Sequence, residues 1–153
     1  MDYPQGAPLY RDRPEYGLVM KAILALPAVL LAAAIYYWST GDAAGGSGLV
    51  VPGIVTGLVF WFVFPREYRV YDDHLRIVLG GPFSVKVGFQ DVEAVRTTSR
   101  SSLSLNFVTR ITRTYVEISR KKGTSITITP TAAESFVEEA NQALGRWAAA
   151  RPQ

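Results

Sequence analysis

Two long apolar runs lie close together near the start of this chain, and they restrict its possible folds more than any other feature. Between Gly17 and Pro65 the charged side chains are Lys21 and Asp42 alone. The first run, Leu18 to Trp38, is about 21 residues long, near the ~20 that cross a hydrocarbon core. Lys21 sits one turn inside and can snorkel to the headgroups. Tyr36, Tyr37 and Trp38 mark the far interface. Pro27 predicts a kink or a packing point of the kind membrane helices tolerate. The second run spans about 48–64, with Trp61, Phe62 and Phe64 at its interfacial end. The intervening "TGDAAGGSG" predicts a flexible connector, too short for anything but a tight antiparallel hairpin. Small residues repeat four apart in both runs, Ala28 and Ala32 in the first, Gly53 and Gly57 in the second. That spacing lets helix backbones approach closely, within the hairpin or against a second copy or partner.

The flanks orient the hairpin. Arg11, Arg13 and Lys21 precede or open it, Arg66, Arg69 and Arg76 follow it, and the connector holds no basic residue. The positive-inside bias then predicts an integral plasma-membrane protein with both termini cytoplasmic. Trp38, Trp61, Arg66 and Arg69 are the expected interface anchors. A cleaved signal peptide fits less well, because the first run exceeds the usual h-region and its flank is acidic as well as basic. Two buried helices of a soluble fold are the other alternative. A composition of 48% hydrophobic and 19% charged residues suits a chain whose apolar residues are concentrated in one part. The first sixteen residues, "MDYPQGAPLYRDRPEY", predict a flexible, mostly irregular cytoplasmic arm.

At Pro65 the rule changes. From Tyr68 the apolar period falls to two, as in half-buried strands. Tyr68 and Val70, then Leu75, Ile77 and Leu79, then Val85, Val87 and Phe89 alternate with other residues. Val92 and Val95, Leu103 to Phe107, Val116 and Ile118, and Ile126 and Ile128 complete about seven short strands. Asp72-Asp73, Gly80-Gly81-Pro82 and Lys122-Gly123 supply turns. Thr131 with Glu134 then reads as a capping box. Ala133, Phe136, Val137, Ala140, Leu144 and Trp147 lie on one face of a final amphipathic helix. The prediction is an α+β membrane protein. A transmembrane hairpin (17–65) precedes a seven-stranded antiparallel bent sheet or barrel closed by the C-terminal helix (66–148), with a tail at 149–153. An OB-like or other small barrel suits the same strand order.

The segments "YRVYDDHLRIVLGGPFSVKVGFQDVEAV" and "TYVEISRKKGTSITITPTAAESFVEEANQAL" carry a further signal. The Y-R-V opening, the D-x-L turn, Q-D-V entering a strand, and a last strand followed by Pro and F-V-E-E-A resemble bacterial pleckstrin-homology-like (PH) domains found after short membrane hairpins. The resemblance covers Arg66 to about Leu144. It implies binding or assembly rather than turnover; no cofactor is expected.

Catalytic and metal chemistry is hard to find. There are no cysteines, which removes disulfides, Cys-ligated zinc and thiol catalysis. The single histidine, His74, sits in an Asp-Asp-His turn that reads as turn chemistry rather than as a metal site. "KKGTS" lacks the upstream glycine of a phosphate loop. The positive signal is charge. Arg96, Arg100, Arg110, Arg113, Arg120, Lys121 and Lys122 face a single acid, Glu117, between positions 96 and 122, a net of 7 − 1 = +6. Such a region would favour an anionic leaflet by roughly 1 kcal/mol per cation. Nucleic acid is disfavoured, because no recognition helix or stacking platform accompanies the charge. The expected function is a non-catalytic membrane-anchored interaction module. Its partners would be membrane lipids and a membrane protein or further copies of itself, with no small-molecule substrate. The alternative is an anionic-headgroup binder through residues 96–122.

Overall fold

The computed structural model describes residues 6–99, 105–110, 112 and 114–150. Among them a helical hairpin joins a domain of two four-stranded sheets and one further helix.

The hairpin consists of α1 (Leu18–Ser39) and α2 (Ala43–Val63). Each is long and apolar enough to cross a membrane, and only 6% and 11% of their apolar windows are buried within the protein. The turn is tighter than the sequence predicts. Gly41 takes φ +89°, which costs a glycine little. Asp42 then caps α2 by accepting a hydrogen bond from the Gly45 N–H at 2.8 Å. The expected flexible connector is therefore helical from Ala43, and α2 starts there instead of at Gly48.

Glycines on α2 bring the helices together. A Cβ on Gly46 would lie 2.4 Å from the Trp38 ring, and one on Gly53 3.0 Å from the Leu31 side chain. Gly57 meets Pro27 at an ordinary 3.5 Å. On α1 Ala34 is buried, and Met20, Leu24, Pro27, Leu30, Leu31 and Ala33 are partly covered. Ala28 and Ala32 are exposed, and neither is among the nearest neighbours of Gly46, Gly53 or Gly57.

In the domain, β1 (Tyr10–Asp12), β2 (Glu67–Val70), β3 (His74–Val78) and β4 (Ser84–Gly88) form an antiparallel sheet in chain order. A short 3-10 turn, Phe89–Asp91, leads to the second sheet. Its strands are β5 (Val92–Thr98), β6 (Leu105–Phe107), β7 (Tyr115–Arg120) and β8 (Ile126–Ile128), in the order β5-β7-β8-β6. Two features depart from expectation. The strand β1 belongs to the segment expected to be an irregular arm. It pairs with β2, and Pro14 bridges Pro130. Left without β1, β2 would present an open sheet edge. The pair β6–β8 is parallel, where an all-antiparallel arrangement was expected. Period-two alternation reports which face a residue takes, not the direction of the neighbouring strand.

The core lies between the sheets. Tyr68, Val70, Leu75, Ile77 and Phe89 meet Val92, Val116, Ile118, Ile126 and Ile128, all at most 2% exposed. The helix α3 (Ala133–Ala149) closes the open end with Phe136, Ala140 and Ala143. Phe136 makes edge-on contacts with both Tyr10 and Tyr68. Burying such a ring is worth about 1.5–3 kcal/mol. The expected capping box does not form. The Thr131 hydroxyl donates instead to the Arg13 carbonyl at 2.9 Å. The N-cap is Ala132, whose N–H donates to Asp12 Oδ2 at 2.9 Å. Asp12 of β1, from the other side of the hairpin in sequence, thus takes the part that Glu134 would have in the box, bonding the N-cap N–H.

Candidate functional site

The hairpin and the domain meet without a linker. Pro65 follows α2 directly, and the Arg66 N–H donates to the Val78 carbonyl at 2.7 Å. Opposite it the β3–β4 turn presses onto the end of α2. A Cβ on Gly80 would fall 1.4 Å from the Trp61 carbonyl oxygen. Gly81 has φ +64°, and Phe83 meets Phe62 edge-on at 5.5 Å. The Tyr16 hydroxyl donates to the Pro65 carbonyl, tying the start of the hairpin to its end. Burial pushes the Tyr16 phenol up, and nearby Arg66 partly offsets this.

A buried polar knot locks the other side. Thr109 Oγ1 donates to the Glu15 carbonyl at 2.7 Å and lies 2.9 Å from Thr129 Oγ1. The Glu15 N–H donates to the Thr129 carbonyl, and the Gly17 N–H donates to the Thr109 carbonyl. An Arg110–Glu15 ion pair closes the knot. Residues preceding α1 are therefore held by Thr129, just after β8, and by the loop after β6.

This junction encloses an open cleft of about 840 Å³. One half is apolar, lined by Leu24, Pro27, Ala28, Gly57 and Phe60 of the two helices. The other half holds Arg13, Tyr16, Arg66, Glu67 and Arg69. The Arg66 guanidinium stacks on the Trp61 ring, 3.7 Å from its centroid. Stacking uses the guanidinium face and leaves its in-plane donors for an anion. Arg69 pairs with Glu67. A hydrogen bond to Tyr71, ahead of the Glu67 contribution, holds the Arg69 guanidinium above the usual range.

Beside the cleft, the first sheet carries a row of cations. Strand register places Arg11 opposite Arg69, Arg69 opposite Arg76, and Arg76 opposite Lys86. Directly opposed residues share a face, ~5 Å apart, and like charges there repel. Val70, Leu75 and Val87 occupy the next row and point to the core, so the cations face outward. Arg76 donates to Ser84 Oγ at 3.0 Å.

The basic region expected between 96 and 122 is divided by the fold. Arg96 on β5 pairs with the largely buried Glu117 at 3.1 Å. Arg110 is held by Glu15 and Thr112, near the Tyr115 end of β7. Arg120, Lys121 and Lys122 lie at the other end of that strand, five residues or ~17 Å away. Arg100 and Arg113 lie outside the described residues. The row Arg11–Arg69–Arg76–Lys86 was legible only in part. Arg69, Arg76 and Lys86 each sit at outward positions of alternating strands, but Arg11 needed β1. His74 is buried, stacks on Tyr71 with ring centroids 4.5 Å apart, and bonds Asp73 through Nδ1 at 2.6 Å. Trp38 packs over Gly46 at the turn end of the hairpin.

A family model described as "Bacterial PH domain" matches residues 66–142, about half of the chain. No curated protein and no solved structure matches the chain.

Proposed function

The chain belongs to the bacterial PH domain family, and on that premise we propose that it is a non-catalytic, membrane-anchored interaction module. In this reading the hairpin sits in the plasma membrane and the domain lies on the cytoplasmic face. The module serves as an accessory or scaffold that binds a membrane-protein partner or further copies of itself. The observation that carries it is the linkerless junction. Two helices with outer faces left apolar and uncovered lead straight into a domain clamped to them at Gly80 and at the Thr109 knot. A domain held so cannot search the cytosol; it can only present fixed surfaces beside the bilayer. The uncovered helix faces need lipid or another helix around them, and small exposed residues such as Ala28 and Ala32 suit close helix approach.

Purification of the full chain from native membranes in mild detergent, with size analysis, tests the assembly claim. A complex larger than one chain, or a stoichiometric co-purifying membrane protein, is expected; a lone monomer counts against it. Reporter fusions at Asp42 and after Gln153 test orientation. The reading needs the second inside and the first outside.

A further inference from the structure

We propose that the junction cleft binds one anionic phospholipid, with its phosphate against Arg66 and Arg13 and an acyl chain along Leu24, Ala28 and Phe60. The proposal rests on the reading that the hairpin lies in the membrane, and it names a ligand and a site which that reading does not. Three observations carry it.

The first is the order of polarity along the cleft. Leu24, Pro27 and Ala28 lie 6 to 10 residues from the domain end of α1, and Phe60 lies 3 from that end of α2. At 1.5 Å per residue the apolar half reaches ~5–15 Å into the span, the depth of the upper acyl chains. The arginines stand just outside it, at headgroup depth. The sequence of environments matches that of a phospholipid from phosphate to chain.

The second is uncompensated charge. The cleft holds Arg13, Arg66 and Arg69 against Glu67, a net of 3 − 1 = +2. Glu67 is already spent on Arg69. Among the described residues no carboxylate pairs with Arg13 or Arg66. Stacking on Trp61 fixes the Arg66 guanidinium at the cleft wall without using its N–H donors. The third is the adjoining row Arg11–Arg69–Arg76–Lys86, which raises the local potential and would stabilise an anion at Arg69's end of the cleft. A neutral lipid would leave Arg13 and Arg66 without an anionic partner. A free phosphate would leave the apolar half unused.

The test uses the full chain in detergent micelles, titrated with phosphatidylglycerol or with phosphatidylcholine of the same acyl chains. Native mass spectrometry reads the fraction of chain carrying lipid. A preference of roughly tenfold or more for phosphatidylglycerol is expected from two uncompensated cations near the headgroup. Arg66→Glu should abolish the preference, and Arg66→Gln should reduce it while keeping the stacked plane. Ala28→Leu, at an exposed position that tolerates the larger side chain, should lower retention of both lipids. Lys121→Gln with Lys122→Gln should change nothing. Added inorganic phosphate should displace the lipid only weakly. Equal retention of the two lipids, a preference unmoved by Arg66→Glu, or retention unmoved by Ala28→Leu with ready displacement by phosphate overturns the proposal. Carbonate extraction of native membranes separates the two readings. Release of the chain sinks membrane anchoring itself, whereas retention in the membrane without a lipid preference sinks only the cleft.

Discussion

Gly80 shows how much one residue can determine at the junction. Its turn role was legible in "GGP", but its packing role was not, because the atom it must avoid is the Trp61 carbonyl, nineteen positions earlier. A methyl group there meets backbone rather than a side chain that can swing away. Gly80→Ala should therefore cost about 2–3 kcal/mol. That corresponds to roughly 10 °C in the domain's Tm. It should also speed hydrogen exchange at the Arg66 N–H, which bonds Val78 across the same junction. Unchanged melting and exchange would mean that the turn does not press on α2. Tyr68 gives a second test at this scale. Its ring is fully buried and its hydroxyl donates to the Phe107 carbonyl at 3.2 Å. Burial pushes the phenol far above its ordinary value of 10.0, and hydrogen bonding at Thr129 offsets this only in part. The unfolded chain therefore loses this proton before the folded one does. The Tyr68 contribution to stability is complete below pH ~10 and falls as pH rises from there toward the folded value. Chemical denaturation of Tyr68→Phe should show about 1 kcal/mol less stability at neutral pH. Above pH ~10 its stability should fall less steeply than that of the wild type, and parallel curves would refute the account.

At the scale of elements, the chain's own periodicities did most of the work. Apolar length marked α1, alternation marked the seven strands from Glu67, and a 3.6-residue stripe marked α3. The errors share one cause: partners distant in sequence. The connector read as flexible because its glycines depress helix propensity. Gly46 is there for Trp38, which no local pattern reveals. β1 is three residues long, too short to show alternation, and exists because β2 offers an edge. The box at Thr131 and Glu134 matched the motif, yet Arg13 and Asp12 took its roles. The predicted basic region followed sequence proximity, whereas strand register assembles Arg11, Arg69, Arg76 and Lys86 from four separate strands. The α3 cap yields a direct test. Asp12→Ala removes the acceptor for the Ala132 N–H, the amide of the N-cap residue of α3, a loss of about 1 kcal/mol. Hydrogen exchange should quicken at the Ala132 amide, while Thr131→Ala should leave that amide protected. The reverse outcome would restore the local capping box.

For the whole molecule, the consequence is that the domain is not a unit that begins at Arg66. Its first strand, the cap of its closing helix and one side of its buried knot all come from residues before α1. The chain enters the domain, leaves for the hairpin and returns, so the two ends of the hairpin are fastened to one body. Leu9 bonds Val70, Arg13 bonds Thr131, Glu15 bonds Thr129 and Gly17 bonds Thr109. At a net ~0.5–1.5 kcal/mol each, these bonds are several kcal/mol of stability that a fragment starting at Arg66 cannot have. Such a fragment should melt well below the domain in the full chain. It should also exchange quickly at the Val116 to Ile128 hairpin and at the start of α3. A peptide covering residues 6–16, added in trans, should restore part of that protection, and the same peptide with Asp12 and Glu15 replaced by alanine should restore less. A fragment as stable as the full-length domain would show that the fastening is incidental. Loss and recovery as described would mean that the segment before α1 is a structural part of the domain, delivered to it in the full chain from the far end of the hairpin. A chain lacking that segment would be left with β2 as an open sheet edge and with the Ala132 N–H without its Asp12 acceptor.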